Sequence, residues 1–276
     1  MNLVEFDWYG LMAALFFGAG LNYVRYFLMA GIAYKVFFHK PPKWTLSQKI
    51  AKKKRPEGQN KRDIYYSLIS IGIFGLVGVI TYFMGKAGWT KAYSDVNDYG
   101  WTWWFVSIPV MLVIHDAYFY WTHFLMHNRR LFPLFHKIHH LSKDPTPLTS
   151  YAFHPFEALV SAGILPLLVI LLPLHQGAIL VFVTIQFGFN VLGHLGHELY
   201  PTWMIHSPLG KILNTTTHHH QHHQTFHYNY GLYFNWWDRL LKTNHPDYKK
   251  TFIEQSKVSL IGNDEKVRGV IPSRLH

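Results

Sequence analysis

Histidines crowd into two stretches of this sequence at spacings that suit metal binding. The first, HDAYFYWTHFLMHNRRLFPLFHKIHH, covers residues 115–140 and holds six histidines; the second, THHHQHHQTFH, covers residues 217–227. Neutral imidazole binds zinc, copper, iron and nickel well. The sequence has no cysteine, which excludes thiolate metal sites and cysteine-bound iron–sulfur clusters. Imidazole is therefore the candidate metal ligand.

The spacing places several imidazoles on shared helix faces. His123 and His127 are four residues apart, and the pattern HxxHH occurs at residues 136–140 and again at 219–223. Residues three or four apart lie on one face of a helix, with their β-carbons about 5–6 Å apart. His194, at the end of a later apolar segment, is a further candidate, because an unpartnered histidine there would be costly to bury.

These patterns give nine candidate metal ligands: His123, His127, His136, His139, His140, His194, His219, His222 and His223. A structural zinc ion needs four ligands, so nine imidazoles exceed what one such ion requires. The sequence therefore predicts two metal ions. The roles of the other central histidines stay open at this point: His115, His154, His197, His218, His220 and His227.

The elements that must position these histidines are apolar. Charged residues are only 15% of the chain, against about 25% in soluble domains, and 49% of the residues are hydrophobic. The apolar residues form blocks near the length that crosses a bilayer, about 20 residues. The blocks cover residues 11–38, 64–84, 103–120, 156–174 and 178–199. We predict an all-α integral membrane protein with about four to five transmembrane helices, and Pro166 predicts a kink in the fourth.

The positive charge indicates the orientation in the membrane. Residues 40–62 contain nine Lys or Arg and one Glu, within a chain of formal net charge +11. Beside apolar spans this is a positive-inside signal, and we expect no nucleic-acid binding. With this loop on the cytoplasmic side, both histidine stretches and His194 also emerge there. We expect a multi-pass protein of the bacterial cytoplasmic membrane or the endoplasmic reticulum, with its site on the cytoplasmic face.

Three regions follow from this pattern. Residues 1–100 are expected to hold the first transmembrane helices and the basic cytosolic loop, and residues 246–276 a C-terminal cytosolic tail. Between them, residues 101–245 hold every candidate ligand. We expect the histidine stretches of this region to form a helical cap on the cytosolic side of the membrane.

The central region resembles the fatty acid hydroxylase superfamily, also called the sterol desaturase family. The resemblance runs from about residue 116 to residue 243 and rests on phrases in a specific order: DAYFYWTHFLMH, HKIHH, FHPFE, GHLGHE, HHQHH and NYGLYFNWWDRLLKT. It implies a membrane oxidoreductase in which histidines bind two iron ions and dioxygen hydroxylates or desaturates a lipid. It also implies that the nine histidines are the ligands, and that the substrate is a sterol, a fatty-acyl lipid or a carotenoid.

The resemblance extends to residues around the ligands. Asp116 matches an acidic position where it would orient a ligand imidazole. His154 and Glu157 match the phrase HP-x-E and are expected to support ligands or structure. Two positions depart from the common pattern: Phe124 stands where many members have Arg, and Asn190 stands where ceramide-type members have a further histidine. We expect Asn190 to hold a metal-bound water, and the change disfavours a ceramide-type substrate.

Electrons for such chemistry are expected from a separate protein, because the sequence shows neither a flavin nor a haem module. A ferredoxin, or cytochrome b5 with its reductase, would dock on the basic surface through complementary charge. The alternative is a histidine-rich membrane metal transporter or metal-binding protein. Transporters place ionisable residues near the bilayer midplane, whereas these spans are nearly free of Asp and Glu.

Overall fold

The computed structural model describes residues 8–50 and 55–256, and all regular secondary structure in these ranges is helical. In chain order the α-helices are α1 (Trp8–His39, interrupted by π-helical turns), α2 (Gln59–Lys86), α3 (Gly100–Met126), α4 (Phe132–Phe135), α5 (Lys137–His140), α6 (Pro155–Ala162), α7 (Ile164–Leu171), α8 (Gln176–Gly193), α9 (Thr216–Thr225) and α10 (Trp236–Leu240). Short 3-10 helices cover Lys43–Gln48, Val96–Asp98, Pro147–Tyr151, Thr202–His206 and Leu209–Lys211. Residues 1–7, residues 51–54 of the basic loop and residues 257–276 of the expected tail lie outside the described residues.

Four of these helices, α1, α2, α3 and α8, are long and apolar enough to cross a membrane. This confirms the predicted all-α membrane fold. Three of them extend beyond the predicted bounds: α1 begins at Trp8, α2 covers Gln59–Lys86, and α3 continues to Met126 and so carries His123 on its last turn. Helix α8 ends earlier than predicted, at Gly193, so that His194 lies at its C-terminal end.

The predicted fourth span differs most from expectation. Residues 155–171 form two consecutive short helices, α6 and α7, which join at Gly163 and not at Pro166. Two contacts explain the position of the break. The Tyr118 hydroxyl donates to the Val160 carbonyl at 2.7 Å, and a β-carbon on Gly163 would lie 3.1 Å from the same hydroxyl oxygen. The sixteen helical residues of α6 and α7 reach about 24 Å, which is less than the hydrocarbon thickness of roughly 30 Å.

Helices α1 and α2 approach each other closely at small residues. A β-carbon added to Gly75 of α2 would lie 2.6 Å from the β-carbon of Ala19 in α1, and Gly18 lies against the Gly75 backbone. Small residues at such crossings allow membrane helices to pack backbone to backbone. One core cluster joins this helix pair to α8, with Tyr26, Ile71 and Phe187 fully buried.

The segment that follows the first histidine stretch is attached to this helix pair by polar contacts. The Asp63 carboxylate of α2 accepts hydrogen bonds from the Ser142 hydroxyl and the Thr149 hydroxyl, each at 2.8 Å. The Tyr26 hydroxyl donates to the Leu148 carbonyl at 2.9 Å. Buried polar groups need such partners, so these contacts fix where α5 lies over the end of the helix bundle.

Candidate metal centre

All nine predicted ligands meet at one end of the bundle, in two groups. The first group has five members and the second has four, and in each group the candidate ligand atoms lie within 4.8 Å of one another. The first group consists of His123, His127, His136, His140 and His222; the second consists of His139, His194, His219 and His223. All are buried except His127, which is half-buried. Their role as metal ligands remains a prediction, which this geometry supports.

The two HxxHH patterns are each divided between the groups. In α9, His219 and His223 are one turn apart and join the second group, whereas His222 points to the first. In the HKIHH segment, His136 and His140 belong to the first group and His139 to the second. Residues four apart share a helix face, and adjacent residues do not. Each pattern therefore supplies ligands to both groups and holds them side by side.

The distances between ring nitrogens match those expected around bound metal ions. In the first group Nε2 of His222 lies 3.2 Å from Nε2 of His127 and 3.0 Å from Nε2 of His140. In the second group Nε2 of His194 lies 3.1 Å from Nε2 of His219 and 3.2 Å from Nε2 of His223. With metal–nitrogen bonds of about 2.0–2.1 Å, neighbouring ligand nitrogens are roughly 2.9–3.4 Å apart.

Backbone carbonyls fix the protonation of three of these rings. Nδ1 of His123 contacts the Tyr230 carbonyl at 2.8 Å, Nδ1 of His222 contacts the Tyr228 carbonyl at 2.7 Å, and Nδ1 of His194 contacts the Asn190 carbonyl at 2.7 Å. A carbonyl only accepts, so each Nδ1 carries the proton and each Nε2 presents a lone pair to its group.

Facing lone pairs at these distances repel one another unless a cation lies between them. The donor set therefore fits metal ions, and neutral imidazole suits iron, zinc, copper and nickel. His136 is supported differently, because its Nδ1 lies 2.6 Å from a carboxylate oxygen of Glu157. Such a carboxylate fixes the ring and raises the basicity of the ligand nitrogen. This agrees with the supporting role expected of Glu157, whereas His154 accepts from the Phe156 amide at the start of α6.

Burial keeps the imidazoles outside the spans neutral. It lowers the pKa of His194 to about 4 and the pKa of His127 to about 2, with neighbouring imidazoles contributing at His127. The same two causes lower the pKa well below the ordinary value for His136, His139, His140, His219, His222 and His223. Only the neutral ring can bind a metal. The fold therefore keeps these rings ready for coordination at pH 7.

Asp116 contacts a loop and not an imidazole, which differs from the direct role expected for it. Its carboxylate accepts hydrogen bonds from the Tyr233 amide at 3.0 Å and from the Trp236 indole at 2.9 Å. Asp116 lies seven residues before His123 on α3, about 10 Å along the helix axis. It is therefore two turns away from the first group, and its carboxylate holds the chain that follows residue 230.

A second buried carboxylate, Asp238, holds the same loop from its other side. It accepts from the amides of Tyr230 and Gly231 and from the Thr243 hydroxyl, each at 2.8 Å. This loop supplies the carbonyl that orients His123. The two aspartates thus act on the candidate metal centre indirectly, because they hold the loop whose Tyr230 carbonyl orients His123. Asp238 was not among the residues predicted from the sequence, although an Asp in the aromatic phrase NWWDRL of an acid-poor chain was a usable signal, and the structure buries it.

Glu198 is a further carboxylate that positions candidate ligands. It lies in the phrase GHLGHE and accepts hydrogen bonds from the amide and the hydroxyl of Thr217, at 2.8 and 2.6 Å, in the first turn of α9. A negative charge is favoured at a helix N-terminus, where the backbone amides are unpaired. Glu198 therefore fixes the end of the helix that carries three of the predicted ligands.

Asn190 lies beside the second group. Its side-chain amide donates to the Ser150 carbonyl at 2.9 Å, and its backbone carbonyl accepts from His194. That it holds a metal-bound water remains a prediction. The remaining histidines of the described chain lie outside both groups. His175, for example, caps the far end of α8 by accepting from the Gly177 amide at 2.9 Å.

A cavity of about 110 Å³ lies within the bundle next to both groups. Its walls come from the long helices and from α6 and α7, and most of the lining is apolar. Two lining rings contact the candidate ligands: Phe119 lies 5.0 Å from His123, and Phe153 lies 5.2 Å from His139, measured between ring centroids. An apolar molecule in this cavity would therefore lie against the metal centre.

Comparison with known proteins agrees with this site. The fatty acid hydroxylase family matches residues 108–243. Lathosterol oxidase of Rattus norvegicus is 30% identical over 254 residues, which cover 87% of this chain and 81% of the relative. The chain belongs to the fatty acid hydroxylase family. Lathosterol oxidase of Mus musculus is 30% identical over 79% of this chain and 70% of its own length.

Another member of the family, a Delta(7)-sterol 5(6)-desaturase of Gibberella zeae, is 32% identical over 66% of this chain and 55% of its own length. No solved structure matches the chain at a significant level. The matched region of the fatty acid hydroxylase family contains all nine candidate ligands. Membership favours an oxidoreductase over the alternative of a metal transporter.

Replacing Asp238 by asparagine should weaken metal binding without removing a ligand. Both carboxylate oxygens of Asp238 accept hydrogen bonds, and an amide nitrogen at either place would face a donor. The loop should shift, so that the Tyr230 carbonyl no longer accepts the hydrogen bond from His123 Nδ1. Changes to such supporting groups reduce metal affinity about 10–100-fold. Competition with a chelator of known affinity measures the change.

The exposed Asp247 provides the matched control, because the same substitution there alters charge equally but touches no group of ligands. Unchanged affinity in Asp238→Asn, although the loop has shifted, would show that the loop does not support the centre.

Proposed function

We propose that this protein is a membrane-bound oxidoreductase that uses dioxygen and two iron ions to hydroxylate or desaturate a lipid. The observation that carries the proposal is the pair of buried groups of neutral imidazoles beside an apolar cavity within the bundle. His123, His127, His136, His140 and His222 would hold one ion, and His139, His194, His219 and His223 the other.

Iron is favoured over the other metals that imidazole suits because the family contains non-haem iron oxygenases. When bound, the ions supply the oxidising chemistry that removes hydrogen from an unactivated carbon, which side-chain acids and bases cannot do. The chain itself orients the ligand rings through the Tyr228 and Tyr230 carbonyls and Glu157. Its buried site excludes bulk water, and the cavity places an apolar substrate against Phe119 and Phe153.

The substrate is proposed to be a lipid that enters from the bilayer: a sterol, a fatty-acyl lipid or a carotenoid. Support comes from the apolar lining of the cavity and from relatives whose names refer to sterols. The imidazole groups lie at one end of the bundle and not at its middle. That placement suits oxidation of a membrane lipid better than transport of a metal across the membrane.

We propose the cytoplasmic face of the bacterial cytoplasmic membrane or of the endoplasmic reticulum as the location of the site. The basic residues of the 40–62 loop support this orientation. Electrons would come from a ferredoxin, or from cytochrome b5 with its reductase. Exposed cations near the metal centre, such as Lys137 and Lys143, would attract an acidic donor.

Cells with the protein should contain an oxidised lipid that cells without it lack. Lipid extracts are compared by mass spectrometry under aerobic conditions, and we expect a species that has gained one oxygen atom or lost two hydrogen atoms. Cells expressing the His222→Ala variant at equal level are the control, since the membrane protein is present but a ligand is missing. Identical extracts from all three cultures would count strongly against the proposed function.

A further inference from the structure

His115 lies in the wall of the cavity with one ring nitrogen already occupied. Its side chain is buried among Phe119, Phe182 and Tyr233, and its Nδ1 lies 2.6 Å from the Tyr233 hydroxyl. Tyr233 is itself held through its amide by Asp116. The imidazole plane is therefore fixed by a contact that the metal centre does not need, since His115 belongs to neither group of ligands.

The second ring nitrogen of His115 makes no hydrogen bond with any residue in the described part of the chain, although the residue lines the cavity. A polar atom that faces a largely apolar cavity is stabilised when a bound molecule supplies a hydrogen-bonding partner. If the Tyr233 hydroxyl donates to Nδ1, the ring proton lies on Nε2, which is then a donor. If Nδ1 donates to the hydroxyl oxygen, Nε2 is an acceptor. In both cases the cavity wall presents one hydrogen-bonding atom at a fixed place.

The other polar residues of the wall indicate what this atom would bind. Asn22, Ser161, Gln186 and Asn190 line the same cavity, and none of its lining residues is Asp, Glu, Lys or Arg. An anionic group would need a charged partner to enter such a space. The lining therefore suits a neutral oxygen that can both donate and accept, which is a hydroxyl.

The position of His115 relates this polar contact to the metal centre. His115 precedes His123 by eight residues on α3, and Gln186 precedes His194 by eight residues at the end of α8. Eight helical residues correspond to about 12 Å along the axis. The cavity thus has polar groups on two walls at a similar depth, and the metal ligands lie at its other end.

We propose that His115 Nε2 hydrogen-bonds the hydroxyl group of a lipid whose hydroxyl-bearing end enters this cavity, and thereby fixes how the lipid lies relative to the metal centre. This inference rests on the proposed function in taking the cavity as the place of the substrate. His115 is then a residue that binds and orients the substrate. Tyr233 positions the imidazole ring, and Asp116 positions Tyr233.

The test measures binding of matched lipid pairs to the purified full-length protein in nanodiscs. One pair is cholesterol and cholest-5-ene, and the other is 1-octadecanol and octadecane; in each pair the members differ by the hydroxyl. Radiolabelled lipids give the dissociation constants with and without bound metal. We expect the wild-type protein to bind the hydroxylated member of at least one pair about tenfold more tightly.

Two substitutions separate the hydrogen bond from packing. In His115→Phe the preference for the hydroxylated member should disappear, while the affinity for the member without a hydroxyl stays within about twofold. In His115→Gln, whose amide can reach into the cavity, part of the preference should return. Phe182→Leu is the matched control, because it changes an apolar wall residue and should affect both members equally.

Equal binding of both members by the wild-type protein would overturn the proposal, and so would a preference that survives in His115→Phe. If His115→Phe fails to fold, the comparison of wild type with His115→Gln and Tyr233→Phe decides. An undiminished preference in both variants then overturns it. The assay is independent of turnover: a hydroxyl preference without any lipid oxidation would contradict the proposed function and leave this inference standing.

Discussion

Replacing His139 by alanine should abolish activity and remove one of two bound metal ions. His139 belongs to the group of four ligands, so the substitution leaves three. The His222→Ala variant should also lose activity, but the group of five then retains four ligands. Because four ligands complete a closed site and three do not, we expect greater metal loss from His139→Ala. Metal content by mass spectrometry and turnover of the oxidised lipid are measured on the same samples.

Two controls show whether the loss is specific. His220 lies on the same helix as His222 but belongs to neither group, and His175 caps the opposite end of α8. Alanine at either position should leave both ions bound. Full metal content and activity in His139→Ala and His222→Ala would require abandoning the two-ion centre and the oxidising function built on it.

The metal-free protein should lose stability steeply below about pH 6. An unfolded histidine takes up a proton near pH 6.5. In the folded protein, burial lowers the pKa of His194 to about 4 and that of His127 to about 2, and six further ligands have pKa values well below the ordinary one. Above pH 6.5 these rings are neutral in both states. As the pH falls below it, the unfolded state binds more protons.

Each such imidazole then reduces the free energy of unfolding by up to about 1.4 kcal/mol per pH unit until its folded pKa is reached. Melting temperatures of metal-free and metal-loaded protein between pH 5 and pH 8 test this. Both curves should be flat above pH 7 and fall below pH 6, with the metal-loaded protein falling at lower pH because ions compete with protons. A melting temperature that stays constant down to pH 5 would mean that the rings are not held neutral by the fold.

The sequence could predict which histidines are candidate ligands, but not their division into two groups. Spacings of three and four identify rings that share a helix face. These spacings do not predict which other element packs against that helix face. His139 and His140 are neighbours in sequence, yet they point about 100° apart around the helix and join different groups. Only the packing of α5 against α8 and α9 decides which ring meets which.

The supporting contacts were harder to predict because they join distant parts of the chain. Asp116 contacts residues 117 to 120 positions later, and no local periodicity encodes such a pairing. A resemblance in motif suggested a contact with an imidazole, but the carboxylate holds the loop instead. The fourth apolar block was similarly ambiguous, since hydrophobic content records burial or lipid contact but not whether a helix is continuous. The contact of Tyr118 with Val160 determines where this helix is interrupted.

The backbone carbonyls that fix the ligand rings also set an order for biosynthesis. His123 is synthesised 107 residues before Tyr230, whose carbonyl accepts a hydrogen bond from its Nδ1. His222 is synthesised six residues before Tyr228, whose carbonyl accepts from its Nδ1. A nascent chain that ends before residue 228 therefore has all nine candidate ligands but lacks the carbonyls that direct His123 and His222. Metal should be acquired only after the last membrane helix is inserted and the NYGLYFN segment has left the ribosome. Premature termination in that segment would yield an inserted protein that cannot mature.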